Sequence, residues 1–221
     1  MINVLTYNAP HKKTQDLLFR LKLRGYDDVN VLATPWEFRK NFNPLIPHRK
    51  FNTLNTSPSV LCEKLGYNFS EIELDNLKIN DEWILIGGAG MLPEEVVGSD
   101  KVINSHPAYL PYVRGLDSLK WAIYYGHPIG VTTHIVSEEC DAGKLIKKEL
   151  VPLYSWDTFH SVAHRQYEME IDMLVDSIED VKTASFEELS TTKSQPHRRM
   201  SHSHEMRLMK RFQDIIEKVE I

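Results

Sequence analysis

The opening of the chain constrains the fold most. Residues 2–7 (INVLTY) form a strand-like run, residues 12–24 place Leu17, Leu18 and Leu21 on one helical face before Gly25, and residues 29–33 return to a strand pattern. Strand, helix and strand in immediate succession predict a parallel pair joined by a crossover helix, and hence an α/β fold. The alternation continues with a helix over 58–65 stopped by Gly66, a strand over 82–86, a short helix near 93–97 and a strand ending at Asn104. We therefore expect a mostly parallel twisted sheet with helices on both faces. Residues 1–180 are read as the main domain and 181–221 as a small C-terminal extension, packing on the core or mediating dimerisation. Ser155 is the expected cap of a long helix over 156–177, a further small strand is expected near 181–186, and an amphipathic helix over 205–221 is expected to bury Met206, Met209, Phe212, Ile215, Ile216 and Val219.

Residues 102–146 concentrate the chemistry. Asn104 and His106 end one predicted strand, two residues apart and therefore on one side of it. A helix-like stretch, 116–125, leads to a β-branched strand over 131–136 that carries His134, and an acidic turn over 138–143 holds Asp141. Were the two strands parallel neighbours, both following loops would leave at the carboxyl edge of the sheet, where α/β folds bind ligands. An amide donor, an imidazole and a carboxylate suit acyl transfer without a covalent intermediate. The amide can donate to a developing oxyanion, the imidazole can move a proton near neutral pH, and the carboxylate can orient the imidazole. A different class stays open: His106, His134 and Asp141 would also make a two-histidine, one-carboxylate set for a metal-dependent hydrolase. The glycine run at 87–90 does not read G-x-G-x-x-G, and only a short helix can follow it, which argues against a dinucleotide site.

In their order and spacing, Asn104-Ser105-His106-Pro107, Leu110-Pro111, Arg114-Gly115, Gly130-Val131-Thr132, His134 and Asp141-Ala142-Gly143 resemble the signature of the formyltransferases that use 10-formyltetrahydrofolate. The resemblance implies a Rossmann-like sheet in which residues 1–180 are the catalytic domain, with Asn104, His106 and Asp141 catalytic and no metal. It implies a folate pocket formed by Gly88, Ala89, Gly90, Met91 and Leu92 together with Glu138, Glu139, Cys140 and Asp141. His134, Arg49 and Arg114 are the expected acceptor-binding residues.

The acceptor is approached by elimination. Methionyl-tRNA members of the resembling family carry a further C-terminal domain, whereas the stretch after Asp141 is expected mainly to complete the core. Glycinamide ribonucleotide members hold a phosphate on a glycine-rich loop after the first strand; here that loop reads Asn8-Ala9-Pro10-His11-Lys12, without glycine. The expected acceptor is thus an amino group on a nucleotide-linked sugar, with phosphoribosylglycinamide as the alternative. Basic groups in the long loop 34–57, Arg49 among them, or in 193–211 would meet its diphosphate. A net charge of −5 argues against a nucleic-acid partner. Cys62 and Cys140 are the only cysteines, and MINVLTYNAP lacks a basic stretch ahead of its apolar residues, so a cytoplasmic enzyme of small-molecule substrates, with no membrane partner, is expected.

Overall fold

The computed structural model describes residues 1–36, 42–47, 53–78, 81–192 and 194–219. In chain order the elements are β1 (Ile2–Tyr7), α1 (Lys12–Leu23), β2 (Val29–Thr34), α2 (Pro58–Leu65), β3 (Asn68–Glu71), a 3₁₀ turn (Leu74–Asn76), β4 (Ile84–Ile86), α3 (Glu94–Val97), β5 (Val102–His106), β6 (Arg114–Gly115), α4 (Ser118–Tyr125), β7 (Gly130–Ile135), β8 (Gly143–Leu150), α5 (Phe159–Asp180), β9 (Glu188–Leu189), β10 (Pro196–His197) and α6 (His202–Ile216). The main sheet runs β3-β2-β1-β4-β5-β7-β8-β9. Its first five strands are mutually parallel. From β5 onward the pairing is antiparallel. The chain starts in the middle of the sheet, steps outward through β2 and β3, then returns to β4 on the other side of β1, so the order reverses between β1 and β4.

Period-two alternation decides which residues face which layer. Val4, Val31, Leu85 and Ile103 turn to one face, where they meet Leu17, Leu18 and Leu21 of α1, Leu61 and Cys62 of α2, and Leu174, Val175 and Ile178 of α5. Their neighbours Leu5, Ile84 and Val102 turn to the other face and pack with Val96 of α3 and Leu74 of the 3₁₀ turn. Both faces are covered, as the sequence pattern implies, but only the first by long helices.

Several expectations are corrected. The strand β3 lies in a stretch for which no element was expected, and the small late strand is β9, beyond 181–186. The long helix α5 begins after Thr158 rather than Ser155; Thr158 and Ser161 cap each other reciprocally across the first turn. The strands β5 and β7 are neighbours but antiparallel, so their loops do not leave at a common carboxyl edge. Among the described residues no helix is long and apolar enough to cross a membrane.

The helix α6 packs on α4, burying Leu208, Phe212 and Ile216 among Leu119, Ala122, Ile123 and Phe159. Its stripe is rotated from the expected one: Met206 is 73% exposed, and Glu205 is fully buried. The reason is Lys120 of α4, also fully buried, whose ammonium is paired with Glu205 Oε1. Glu205 Oε2 accepts from the backbone N–H of Leu45 at 2.8 Å, which ties the 42–47 segment to the same helix. Truncating only one member of a buried pair strands the other charge. Glu205→Leu is expected to cost about 3–5 kcal/mol in denaturant unfolding, and adding Lys120→Met should recover more than half of that loss.

Candidate active site

The antiparallel register sets Asn104 opposite His134 and His106 opposite Thr132. Directly opposed residues of an antiparallel pair share a face, so Asn104, His106, Thr132 and His134 form one patch. His106 is 6% exposed. Its Nδ1 lies 3.2 Å from Asp141 Oδ1. The register places His106 three residues short of the end of β7, so Asp141 reaches it because the 136–142 connection folds back along the sheet.

Asp141 is held in turn. Its backbone φ of 49° is in the left-handed region. Its Oδ2 accepts from the N–H of Gly115 at 2.6 Å and from the Cys140 thiol at 3.2 Å. Gly115 cannot be exchanged for a larger residue: φ is +87°, and a Cβ would sit 2.3 Å from the carbonyl oxygen of His197. Beside it Arg114 is buried, and its guanidinium donates to the Cys140 carbonyl at 2.8 and 2.6 Å, to the Ser194 carbonyl at 3.2 Å and to Glu139 at 3.1 Å. Arg114 thus grips the acidic turn from inside, which departs from its expected place on an acceptor.

The turn after β5 is fixed by residues to which the sequence reading gave no role. Thr132 Oγ1 donates to the Ala108 carbonyl at 2.8 Å and accepts from the Leu110 N–H at 3.0 Å. Gln166 Nε2 donates to the carbonyls of Pro107 and Gly130, each at 2.9 Å. Lys13 donates to the Ser105 carbonyl at 3.3 Å and pairs with the buried Glu170 at 2.8 Å. The available signal was a set of polar residues, Gln166 and Glu170 among them, on the mainly apolar buried face of α5.

The electrostatics divide the two histidines. Burial alone would raise the Asp141 pKa, but His106, the Gly115 N–H, the Cys140 thiol and His134 outweigh it, and the net direction is down. Asp141 therefore faces His106 as a carboxylate. The proton shared with it sits on Nδ1, which leaves Nε2 of His106 buried and, among the described residues, without a partner. His134 donates from Nδ1 to the Ala142 carbonyl at 2.8 Å, and its Nε2 is likewise buried without a partner. Burial pushes its pKa down to about 4, against the favourable influence of Asp141, so it is neutral at pH 7.

Of the first expected pocket loop, Ala89 and Leu92 pack against the cluster around Leu5, Ile84 and Val102, as does Val136 just ahead of the acidic turn. The Tyr7 hydroxyl donates to the Ala89 carbonyl, and a Cβ on Gly88 would lie 2.8 Å from the Tyr7 ring. The glycine at 88 therefore serves close packing on Tyr7. Gly90 has open space around it, and Met91 is 95% exposed rather than walled into a core. A cleft of about 420 Å³ opens beside Glu138, Glu139 and Ala142. Arg49 lies outside the described residues. Among the described residues no three His, Cys, Asp or Glu side chains are grouped to hold a metal, and the His106, His134, Asp141 set is instead hydrogen-bonded as above.

The depressed pKa of His134 has a consequence for stability. Between its folded value of about 4 and its ordinary 6.5 the unfolded chain binds more protons, so stability is whole above 6.5 and declines as pH falls toward 4. The decline from this one group amounts to roughly 3 kcal/mol. Asp141 acts in the same direction lower on the scale: its contribution is present above the ordinary carboxylate pKa and lost as pH falls through its lower folded value. His134→Gln is expected to flatten the unfolding free energy between pH 4 and 6.5; denaturant melts across that window check it, and parallel curves for both proteins would assign the slope elsewhere.

Residues 72–178 match the family described as formyl transferase. The dTDP-4-amino-4,6-dideoxyglucose formyltransferase of Mycobacterium tuberculosis is 27% identical over 94 residues, 42% of this chain and 40% of that protein. The methionyl-tRNA formyltransferase of Fusobacterium nucleatum is 31% identical over 145 residues, 64% of this chain and 46% of its own length. The chain thus spans less than half the length of these two curated relatives. Among solved structures, the N-formyltransferase of Helicobacter canadensis in complex with folinic acid and dTDP-3-aminofucose superposes with a TM-score of 0.64 at 16% identity, covering 90% of this chain and 70% of that one. Residues 72–178, which include Asn104, His106, His134 and Asp141, are thus similar to the formyl transferase family.

Proposed function

We propose that this chain transfers a formyl group from 10-formyltetrahydrofolate to an amine on a nucleotide-linked sugar. The observation that carries the chemistry is the His106–Asp141 contact of 3.2 Å, on the face shared with Asn104, with Nε2 of His106 buried and unpartnered. For the acceptor, support comes from the relatives: the Mycobacterium tuberculosis protein is named for an amino sugar linked to dTDP, and the Helicobacter canadensis structure holds such a sugar together with a folate. The residues offered to a folate donor are the Gly88–Leu92 loop, whose Ala89 and Leu92 share the cluster of Leu5, Ile84 and Val102 with Val136, and the acidic turn that follows Val136. The donor supplies the activated formyl carbon.

In this reading the side-chain amide of Asn104 donates to the formyl oxygen as negative charge develops on it. Nε2 of His106 moves the proton between the attacking amine and the departing nitrogen, while Asp141 holds Nδ1 and the ring's orientation. His134, neutral, offers Nε2 as an acceptor to a donor group in the site. Thr132, Gln166 and Lys13 act as positioning residues for the turn that carries His106. Residues 1–180 are the catalytic unit and 181–221 an extension. Two cysteines without a disulfide suit a cytoplasmic setting.

Two measurements test the reading. Asn104→Ala is expected to lower turnover with 10-formyltetrahydrofolate by roughly a hundred- to a thousandfold. His106→Ala should lower it by about a hundred- to ten-thousandfold, with binding of 5-formyltetrahydrofolate little changed in either variant. Near-normal turnover in a folded variant would remove that residue from the chemistry. The acceptor is read by assaying glycinamide ribonucleotide beside a panel of nucleotide-linked amino sugars; formylation of the ribonucleotide and of none of the sugars would overturn the sugar assignment.

A further inference from the structure

A cleft of about 590 Å³ opens at the ends of β1, β2 and β3, lined by Asn8, Trp36, Glu71, Glu73 and Asn76 among others. That volume lies within the range that small-molecule sites occupy. We infer that this cleft is the subsite for the nucleoside end of the acceptor, with the base against the Trp36 indole and the pentose hydroxyls donating to Glu71 and Glu73. The inference rests on the proposed nucleotide-linked acceptor and adds where its nucleoside lies.

Topology supplies the first argument. The strands β1, β2, β3, β4 and β5 are all parallel, so the ends that line the cleft and the end of β5 that carries His106 lie on one edge of the sheet. His106 is two strands from β1 and three from β2. At the usual spacing of about 4.8 Å per strand, the cleft is roughly 10–15 Å from the reacting centre. A substrate whose amine sits at His106 and whose nucleoside sits in the cleft must cross the point between β1 and β4 where the strand order reverses, the crevice in which sheets of this type take elongated ligands. The two loops that meet there are joined by the Tyr7–Ala89 hydrogen bond.

The chemistry of the lining supplies the second argument. Trp36 is 45% exposed, and the Tyr7 ring braces it edge-on, with centroids 4.9 Å apart at 81°. An indole held in that way offers a flat apolar surface, which stacks on any nucleobase. Asn8 and Asn76 carry both donors and acceptors, as the edge of a base requires. The carboxylates of Glu71 and Glu73 make no hydrogen bond or ion pair among the described residues, and carboxylates are pure acceptors, suited to hydroxyl donors. Among the described lining residues there is no Lys, Arg or His, so the cleft is unsuited to the phosphates themselves and suits the uncharged nucleoside.

Calorimetric titration of the intact protein with dTDP, UDP and, separately, 5-formyltetrahydrofolate tests the inference. The variants are Trp36→Ala, Trp36→Phe and Glu71→Gln combined with Glu73→Gln, all at exposed positions where the fold does not depend on the side chain. The expected result is binding of at least one diphosphate to the parent, about tenfold or more weaker in Trp36→Ala, largely restored in Trp36→Phe, and weaker in the double glutamine variant, with the folate compound bound equally by all. Equal diphosphate affinity in parent and variants would overturn the cleft assignment and leave the sugar-nucleotide acceptor standing. Binding of the folate compound with no diphosphate bound by the parent would overturn both the cleft and that acceptor, while the formyl-transfer chemistry would survive.

Discussion

The buried guanidinium of Arg114 is the group on which the geometry of the site depends. A guanidinium cannot release its proton inside a protein, so burying it requires acceptors to be brought to it. They come from two segments far apart in the chain: the Cys140 carbonyl with the Glu139 carboxylate, and the Thr191 and Ser194 carbonyls. Gathering them fixes the turn over 139–141, and the next residue, Gly115, gives its N–H to Asp141. The position of the carboxylate, and through it the tautomer of His106, therefore follows from the arginine beneath the turn.

Beside that clamp, burial sets the charge state of His134. His134 is kept neutral by its desolvated surroundings, so it brings no positive charge beside Asp141. Its Nδ1 is committed to the Ala142 carbonyl, the residue next to Asp141, so strand β7 and the acidic turn are joined at the point where the connection folds back. The patch built from Asn104, His106 and His134 is thus a property of strand register, and the carboxylate is added to it by a loop.

Much of this was legible before the structure. The β1-α1-β2 unit was readable because its apolar periods are unbroken, and Asn104, His106 and Asp141 because three chemically complementary groups crowd one short stretch. What escaped has physical causes. The strand β3 (NFSE) lies at the sheet edge and buries little, so it lacks the alternation by which strands are recognised. The direction of β7 against β5 is a tertiary choice that no local pattern encodes. Glu205 was placed outward because a carboxylate on a helix usually is; its partner Lys120 lies on another helix, and neither charge announces the other. Arg114 looked like a ligand for an anion for the same reason: its acceptors are backbone carbonyls, which every residue possesses.

The short strand β9 pairs β8 at Gly143 and Lys144, and β8 continues to Leu150 with no further strand outside it among the described residues. Unpaired backbone of that kind is a template for other chains to add to, and it is a common route to aggregation. The exposed remainder carries Lys147, Lys148 and Glu149, and the strand at the opposite margin, β3, is only four residues long and carries Asn68, Ser70 and Glu71. Any chain that extended either margin would have to desolvate these charges and amides, so the sheet protects itself against growth at both ends through side chains that take no part in its chemistry.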